Sequence, residues 1–134
     1  MRGVSLGSGA KAMLIKDCGK SLKVPDVQFY LAVLSAARRF SNKDFKKLIG
    51  VKNIKFATPE EVKKVTGCIP GAVPPFGSLF NEKVITYVDH SLAEFDDINF
   101  NCGLRTHSFQ ISFAHYKQVE GFAETTQFTE AENE

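Results

Sequence analysis

The sequence predicts one α+β (α/β mixed) domain built on a single mixed β-sheet with short flanking helices. Three observations carry that expectation. Runs rich in β-branched and aromatic residues recur between Gly/Pro turn signals. Two short segments among them have complete helix start and stop signals. The length of 134 residues, with 43% hydrophobic and 24% charged, suits one buried core rather than two.

The elements follow in order. AKAMLIKD (10–17) and VQFYLAVLSA (27–36) are apolar runs separated by the Gly- and Pro-containing DCGKSLKVPD, and they read as a hairpin. SNKDFKKLIG (41–50) reads as a short amphipathic helix. Ser41 is the N-cap, Asp44 occupies the third helical position, Phe45, Leu48 and Ile49 share one face, and Gly50 is the stop. VKNIKFA (51–57) is a candidate strand. TPEEVKKVTG (58–67) predicts a helix over 59–66: Thr58 caps it, Pro59 opens it, Glu61 closes a capping box, and Gly67 suits the left-handed C-terminal position. KVITYVDHS (83–91), INFNCG (98–103) and HSFQISF (107–113) read as strands, and AHYKQVEGFAE (114–124) as a closing helix. The domain is expected to span 1–122, and residues 123–134 to form a flexible acidic tail.

Composition narrows the function. No apolar run approaches the roughly 18 residues needed to span a bilayer, and MRGVSLGSGAKAM has no signal-peptide core, so a cytoplasmic protein without a membrane partner is expected. Cys18, Cys68 and Cys102 are far apart and form no C-x-x-C or Cys/His cluster, which favours free thiols and no metal site. Charge is unevenly distributed. Residues 1–59 carry 12 Lys/Arg against 3 Asp/Glu, a net +9, and residues 60–134 carry the opposite excess of −7. Arg38, Arg39, Lys43, Lys46, Lys47, Lys52 and Lys55 crowd one interval that would suit a phosphate backbone, although a solvated helix face has the same look.

GCIPGAVPPFG (67–77) is the least ordinary stretch, with three prolines and three glycines and no charge among eleven residues. Pro70, Pro74 and Pro75 fix φ and remove N–H donors, while Gly71 and Gly77 permit close backbone approach. A stiff loop of this kind presents its chemistry through backbone groups. There is no G-x-S-x-G and no credible Ser/His/Asp arrangement.

The loop resembles the signature of the YbaK/prolyl-tRNA-synthetase-associated editing domains, free-standing relatives of an editing domain inserted in the synthetase. AKAMLI, ITYVDHSL and FNCGLRTHSFQIS fall in the family's order, and the likeness covers about 10–119. The resemblance implies a largely antiparallel sheet curved into a partial barrel. It implies hydrolysis of the ester between a wrong, small amino acid (Ala or Ser/Thr, ahead of Cys) and the tRNA acceptor end, with water as nucleophile and no cofactor. Lys11 maps onto the active-site lysine, and backbone N–H groups near Gly67 and Gly71 would hold the carbonyl oxygen. Pro70, Pro74, Pro75, Phe76 and Gly77 would wall the pocket, with Asn101, Gly103 and His107 closing it. His90 and His115 read as surface or satisfied residues. Arg38, Arg39, Lys43, Lys46 and Lys47 would grip the tRNA, and a synthetase is a candidate second partner. Family members carry a segment ahead of the lysine strand, whereas ten residues precede Lys11 here, so the pocket wall or tRNA grip is expected to be incomplete. Two alternatives share these features: a non-catalytic tRNA- or synthetase-binding module, and a small-molecule hydrolase.

Overall fold

A computed structural model of the chain describes residues 9–17, 28–68, 73, 75–77, 80, 84–102, 104–120 and 125–131, with 101, 102, 104–109 and 131 described by backbone alone. Strands β1 (Ala10–Asp17) and β2 (Phe29–Ser35) pair antiparallel, from Ala10 opposite Ser35 to Lys16 opposite Phe29. They form the predicted hairpin. β3 (Arg38–Phe40) follows, then α1 (Asn42–Ile49), β4 (Ile54–Phe56) and α2 (Pro59–Thr66). Both helices have the expected caps. The Ser41 side chain accepts from the Asp44 N–H, and Thr58 and Glu61 close a reciprocal capping box. Gly50 and Gly67 end the helices with φ of 75° and 81°, a region a side chain rarely occupies. The chain continues through β5 (Ile85–Val88), α3 (His90–Ala93), β6 (Asp97–Cys102), β7 (Leu104–Ser112), α4 (Phe113–Glu120) and β8 (Thr129–Ala131).

The fold is α+β and mostly antiparallel, as expected. The described strands do not make one continuous sheet: a four-stranded sheet ordered β4-β1-β2-β5 is accompanied by the ribbons β3–β8 and β6–β7. A bridge between Gly9 and Asn99 brings β6 against the start of β1. There is no closed barrel among the described residues.

Strand alternation divides the core in two. Ala10, Ala12 and Leu14 of β1, with Leu31, Val33 and Val88, face a cluster completed by Val62 and Val65 of α2, Ile98 of β6 and Tyr116 of α4. Met13 and Ile15, with Ala32 and Leu34, face a second cluster completed by Phe45 of α1 and Phe128. Phe40 and Tyr87 extend that cluster, and its aromatic rings meet at centroid distances of 5.2–6.4 Å.

The C-terminal tail corrects the sequence expectation. Phe128 is fully buried, Thr129 nearly so, and β8 pairs with β3 in the register Arg38 opposite Ala131. Asp89, itself buried, accepts hydrogen bonds from Phe128 N–H at 2.8 Å, Thr129 Oγ1 at 2.8 Å and Ser91 N–H at 3.0 Å. A polar, acidic average over residues 123–134 conceals a three-residue strand and one apolar anchor whose partners lie far upstream.

Candidate active site

The Gly/Pro stretch connects α2 to β5. Its entry is tied down by ordinary helix termination. Gly67 N–H donates to Lys63 O at 2.8 Å, and Cys68 N–H donates to Thr66 Oγ1 at 3.0 Å. Both of these amides are therefore engaged at the helix end, and any oxyanion donor near Gly67 is a different backbone N–H. The helix cap takes the donor because αL glycine at this position folds its own N–H back onto the last turn. Pro70, Gly71 and Pro74 lie outside the described residues.

The far end of the loop is clamped by the first core cluster. Pro75 is buried, and its carbonyl accepts from Tyr116 Oη at 2.8 Å. The Phe76 ring lies edge-on to Phe100 at 5.4 Å and to Tyr116 at 5.3 Å. Gly77 packs so closely against β5 that an added Cβ would stand 2.8 Å from Val84 O and 2.5 Å from Thr86 Oγ1. Thr86 Oγ1 in turn donates to Glu120 Oε2 at 2.6 Å. Burial, reinforced by the Glu120 charge, pushes the Tyr116 hydroxyl well above its ordinary pKa, so it stays a donor. Pro75, Phe76 and Gly77 thus make their described contacts with the core. Tyr116, Thr86 and Glu120 had not been singled out from sequence. The i, i+4 spacing of Tyr116 and Glu120 marks one helix face, but nothing in it names the loop as their partner.

Lys11 lies on the other side of the sheet. It alternates with Ala10 and Ala12, pairs across the hairpin with Leu34, and shares the odd-numbered face of β1 with Met13 and Ile15. Lys11 is half-buried and has no hydrogen bond or ion pair among the described residues. Its neighbour Lys16 differs, giving its Nζ to Glu61 Oε2 at 3.0 Å. Burial alone would raise the Glu61 carboxyl. The Thr58 N–H and the Lys16 ammonium outweigh it and hold Glu61 below its ordinary value. The Gly9–Asn99 bridge runs parallel, and two residues beyond it on each strand stand Lys11 and Asn101. Phe76 reaches this place from behind, because Phe100, the residue preceding Asn101, is the ring it packs on. The loop's clamped end and the backbone carrying Asn101 are thereby in mechanical contact through one aromatic pair.

The remaining expected residues are scattered. His107 is on β7 and is described by backbone alone; Gly103 lies outside the described residues. His90 is exposed at the start of α3, with its ring nitrogen 2.5 Å from Thr125 Oγ1, and His115 is exposed on α4. Arg38 donates to Thr129 Oγ1 at 3.0 Å, and Arg39 pairs with Glu130. Lys43, Lys46 and Lys47 lie on α1 with no side-chain partner among the described residues. Cys68 is a free, half-buried thiol. Among the described residues no cluster of His, Cys, Asp or Glu could hold a metal, and no helix is long and apolar enough to cross a membrane.

The first strand thus carries a lysine with no side-chain partner among the described residues, with the backbone of Asn101 on the neighbouring strand and a Gly/Pro-rich stretch after α2. In comparison with known proteins, the aminoacyl-tRNA editing domain family matches residues 1–119, and the chain belongs to that family. It is 36% identical over 120 residues to the multifunctional Ser/Thr-tRNA deacylase ProXp-y of Escherichia coli K12, covering 89% of this chain and 68% of that one. The same protein from strain O157:H7 matches equally. A crystal structure of a candidate trans-editing enzyme for prolyl tRNA synthetase superimposes with a TM-score of 0.81 at 25% identity, covering 96% of this chain and 74% of that one. A scaffold used for computational epitope grafting shares the fold alone, with a TM-score of 0.81 at 21% identity over 97% of this chain and 76% of that one.

Proposed function

We propose that this chain is an aminoacyl-tRNA deacylase that removes serine and threonine from tRNAs to which they have been wrongly attached. The observation that carries the reading is the 36% identity, over 89% of the chain, to a protein named as a Ser/Thr-tRNA deacylase. The structure supports it with a half-buried lysine that has no protein counter-charge among the described residues, a position suited to an anionic substrate.

The chemistry needs no protein nucleophile. Water adds to the ester carbonyl carbon, negative charge gathers on the carbonyl oxygen, and the bond from that carbon to the ribose oxygen breaks. The ribose oxygen leaves with a proton, and the free amino acid departs. The Lys11 ammonium offsets the growing charge or holds the terminal phosphate. With the Gly67 amide spent on its helix, the loop's oxyanion donor falls to the backbone after it, Gly71 included. Asn101, two residues past the β1–β6 bridge, orients the ribose or the amino group. Serine and threonine are separated from alanine by a polar partner for the hydroxyl, since an apolar wall alone discriminates an added hydroxyl by only about 100-fold.

The test is deacylation of Ser-, Thr-, Ala-, Cys- and Pro-charged tRNA side by side, with free seryl esters as a sixth substrate. Fastest turnover of the seryl and threonyl tRNAs is expected. A Lys11→Ala protein that remains folded should lose about 100-fold in kcat. Preference for proline overturns the assignment of substrate; no hydrolysis of any ester overturns the enzyme reading.

A further inference from the structure

The second face of the sheet, the one that carries Lys11, also carries an exposed surface that the fold does not account for. Helix α1 covers this face with Phe45, Leu48 and Ile49, so Lys43, Lys46 and Lys47, spaced i, i+3 and i+4, line its outer side. Lys52 follows immediately and is exposed. None of the four has a side-chain partner among the described residues, and Asp44 is the sole acid on the helix. Lysines in a last turn also offset the helix dipole, so charge alone identifies nothing.

Phe56 is the unexplained member. It ends the edge strand β4, pairs across from Ile15 and so points to the same side, yet it is 53% exposed. Its ring is backed by Phe40 at 5.6 Å, and Phe40 is locked in turn against Phe45 and Phe128 at 5.4 and 6.0 Å. An exposed ring held from behind and set on a lysine-rich face is the arrangement single-stranded nucleic acid uses, with phosphates on the cations and a base on the ring. The spacing fits the site. Phe56 stands opposite Ile15, four residues along β1 from Lys11 on the same side, or about 13 Å, the rise of about four stacked nucleotides.

We infer that Lys43, Lys46, Lys47, Lys52 and Phe56 form the docking surface for the unpaired acceptor end of the substrate tRNA, with one base stacked on Phe56. The inference rests on the tRNA-deacylase reading and narrows the expected patch to its lysines, with one aromatic residue added. Arg38 donates to Thr129 and Arg39 pairs with Glu130, whereas Phe56 joins the lysines of that interval.

The test is binding of uncharged tRNA to the full chain by fluorescence anisotropy across a salt series, which requires no turnover. Phe56→Ala should weaken binding about tenfold without flattening the salt dependence, and Phe56→Trp should restore it. Lys46→Gln with Lys47→Gln should lower the log–log salt slope by about 1.4, roughly 0.7 per single-strand phosphate. Val119→Ala, at an exposed apolar residue of α4, should bind as the wild type does. Wild-type affinity in Phe56→Ala, or an unchanged slope in the lysine variant, overturns the surface. Tight, Phe56-dependent binding by a protein that hydrolyses no ester sinks the deacylase reading and leaves the surface standing.

Discussion

Replacing Tyr116 with Phe removes one oxygen from the centre of the structure and tests how the Gly/Pro loop is held. The ring's contacts with Phe76 and Phe113 remain, so the lost term is the 2.8 Å bond to the Pro75 carbonyl. A buried carbonyl left without a donor costs about 1–3 kcal/mol, and the contacts that remain favour the lower half of that range. In urea unfolding at pH 8, Tyr116→Phe should therefore be less stable by about 1–1.5 kcal/mol. The pH dependence carries a second signature. The folded hydroxyl titrates well above its ordinary value of 10.0, so its contribution is fully present below pH 10 and is lost as pH rises beyond it. Above that point the unfolded chain releases the proton and the folded chain keeps it. Wild-type stability should then fall by up to about 1.4 kcal/mol per pH unit that the variant does not lose. The gap between the two proteins should close by pH 11. Equal stability at pH 8, or a gap that stays constant from pH 8 to 11, would refute the bond as the loop's anchor.

Other perturbations address the remaining joints. Gly77→Ala places a methyl group 2.8 Å from the Val84 backbone oxygen, and the loop must move off β5. A melting temperature several degrees lower, with deacylation falling further than the lost folded fraction explains, is expected, and a neutral Gly77→Ala would show that the contact yields. Asp89→Ala strips three donors of a buried acceptor and should cost about 3 kcal/mol. Combined with deletion of residues 126–134 it should cost far less than the sum, and additivity would mean that Asp89 does not hold the C-terminal strand. The Glu61 carboxyl sits below its ordinary value, so its bond to Lys16 contributes stability above the glutamate range that disappears as pH falls through the folded value. Lys16→Met should therefore be less stable than wild type at pH 7 and indistinguishable from it near pH 2, as unfolding curves at the two pH values would show.

Much of this fold was legible because its signals are local. Ser41, Thr58, Pro59, Glu61, Gly50 and Gly67 specify where two helices begin and end through bonds within four residues, and both helices appear within those bounds. β3 and β8 were missed for the opposite reason. Each is three residues long, each pairs only with the other among the described residues, and the Asp89 carboxylate that secures the join is remote from both in sequence. The same distinction separates the site residues. Gly67 is legible as a helix stop, and its N–H is bound to Lys63 O in that role, which no motif near it states. The family itself was legible from the Gly/Pro loop and the order of the strands around it. That the loop's clamped end lies on the opposite side of the sheet from the lysine depends on strand parity, which needs the register of β1 against β2 and β6.

This two-sided arrangement has a consequence for how specificity is set. The side of the sheet bearing Lys11, α1 and Phe56 is where charge and exposed aromatic surface meet, so it is suited to holding nucleic acid. The side bearing Tyr116, Phe76 and Val65 is dry and closely packed, so it is suited to holding the loop still. The two communicate through β6, where Phe100 faces the loop and Asn99 faces the bridge to β1. A shift of the Phe76 ring must displace Phe100 or open a gap beside it, and either moves the backbone that leads into Asn101. Changes on the packed side should therefore alter which amino acid is removed, and how fast, while leaving tRNA affinity in place. Changes to the lysines and Phe56 should do the reverse. If Tyr116→Phe and Phe56→Ala both moved affinity and amino-acid preference together, the sheet would not be separating the two tasks.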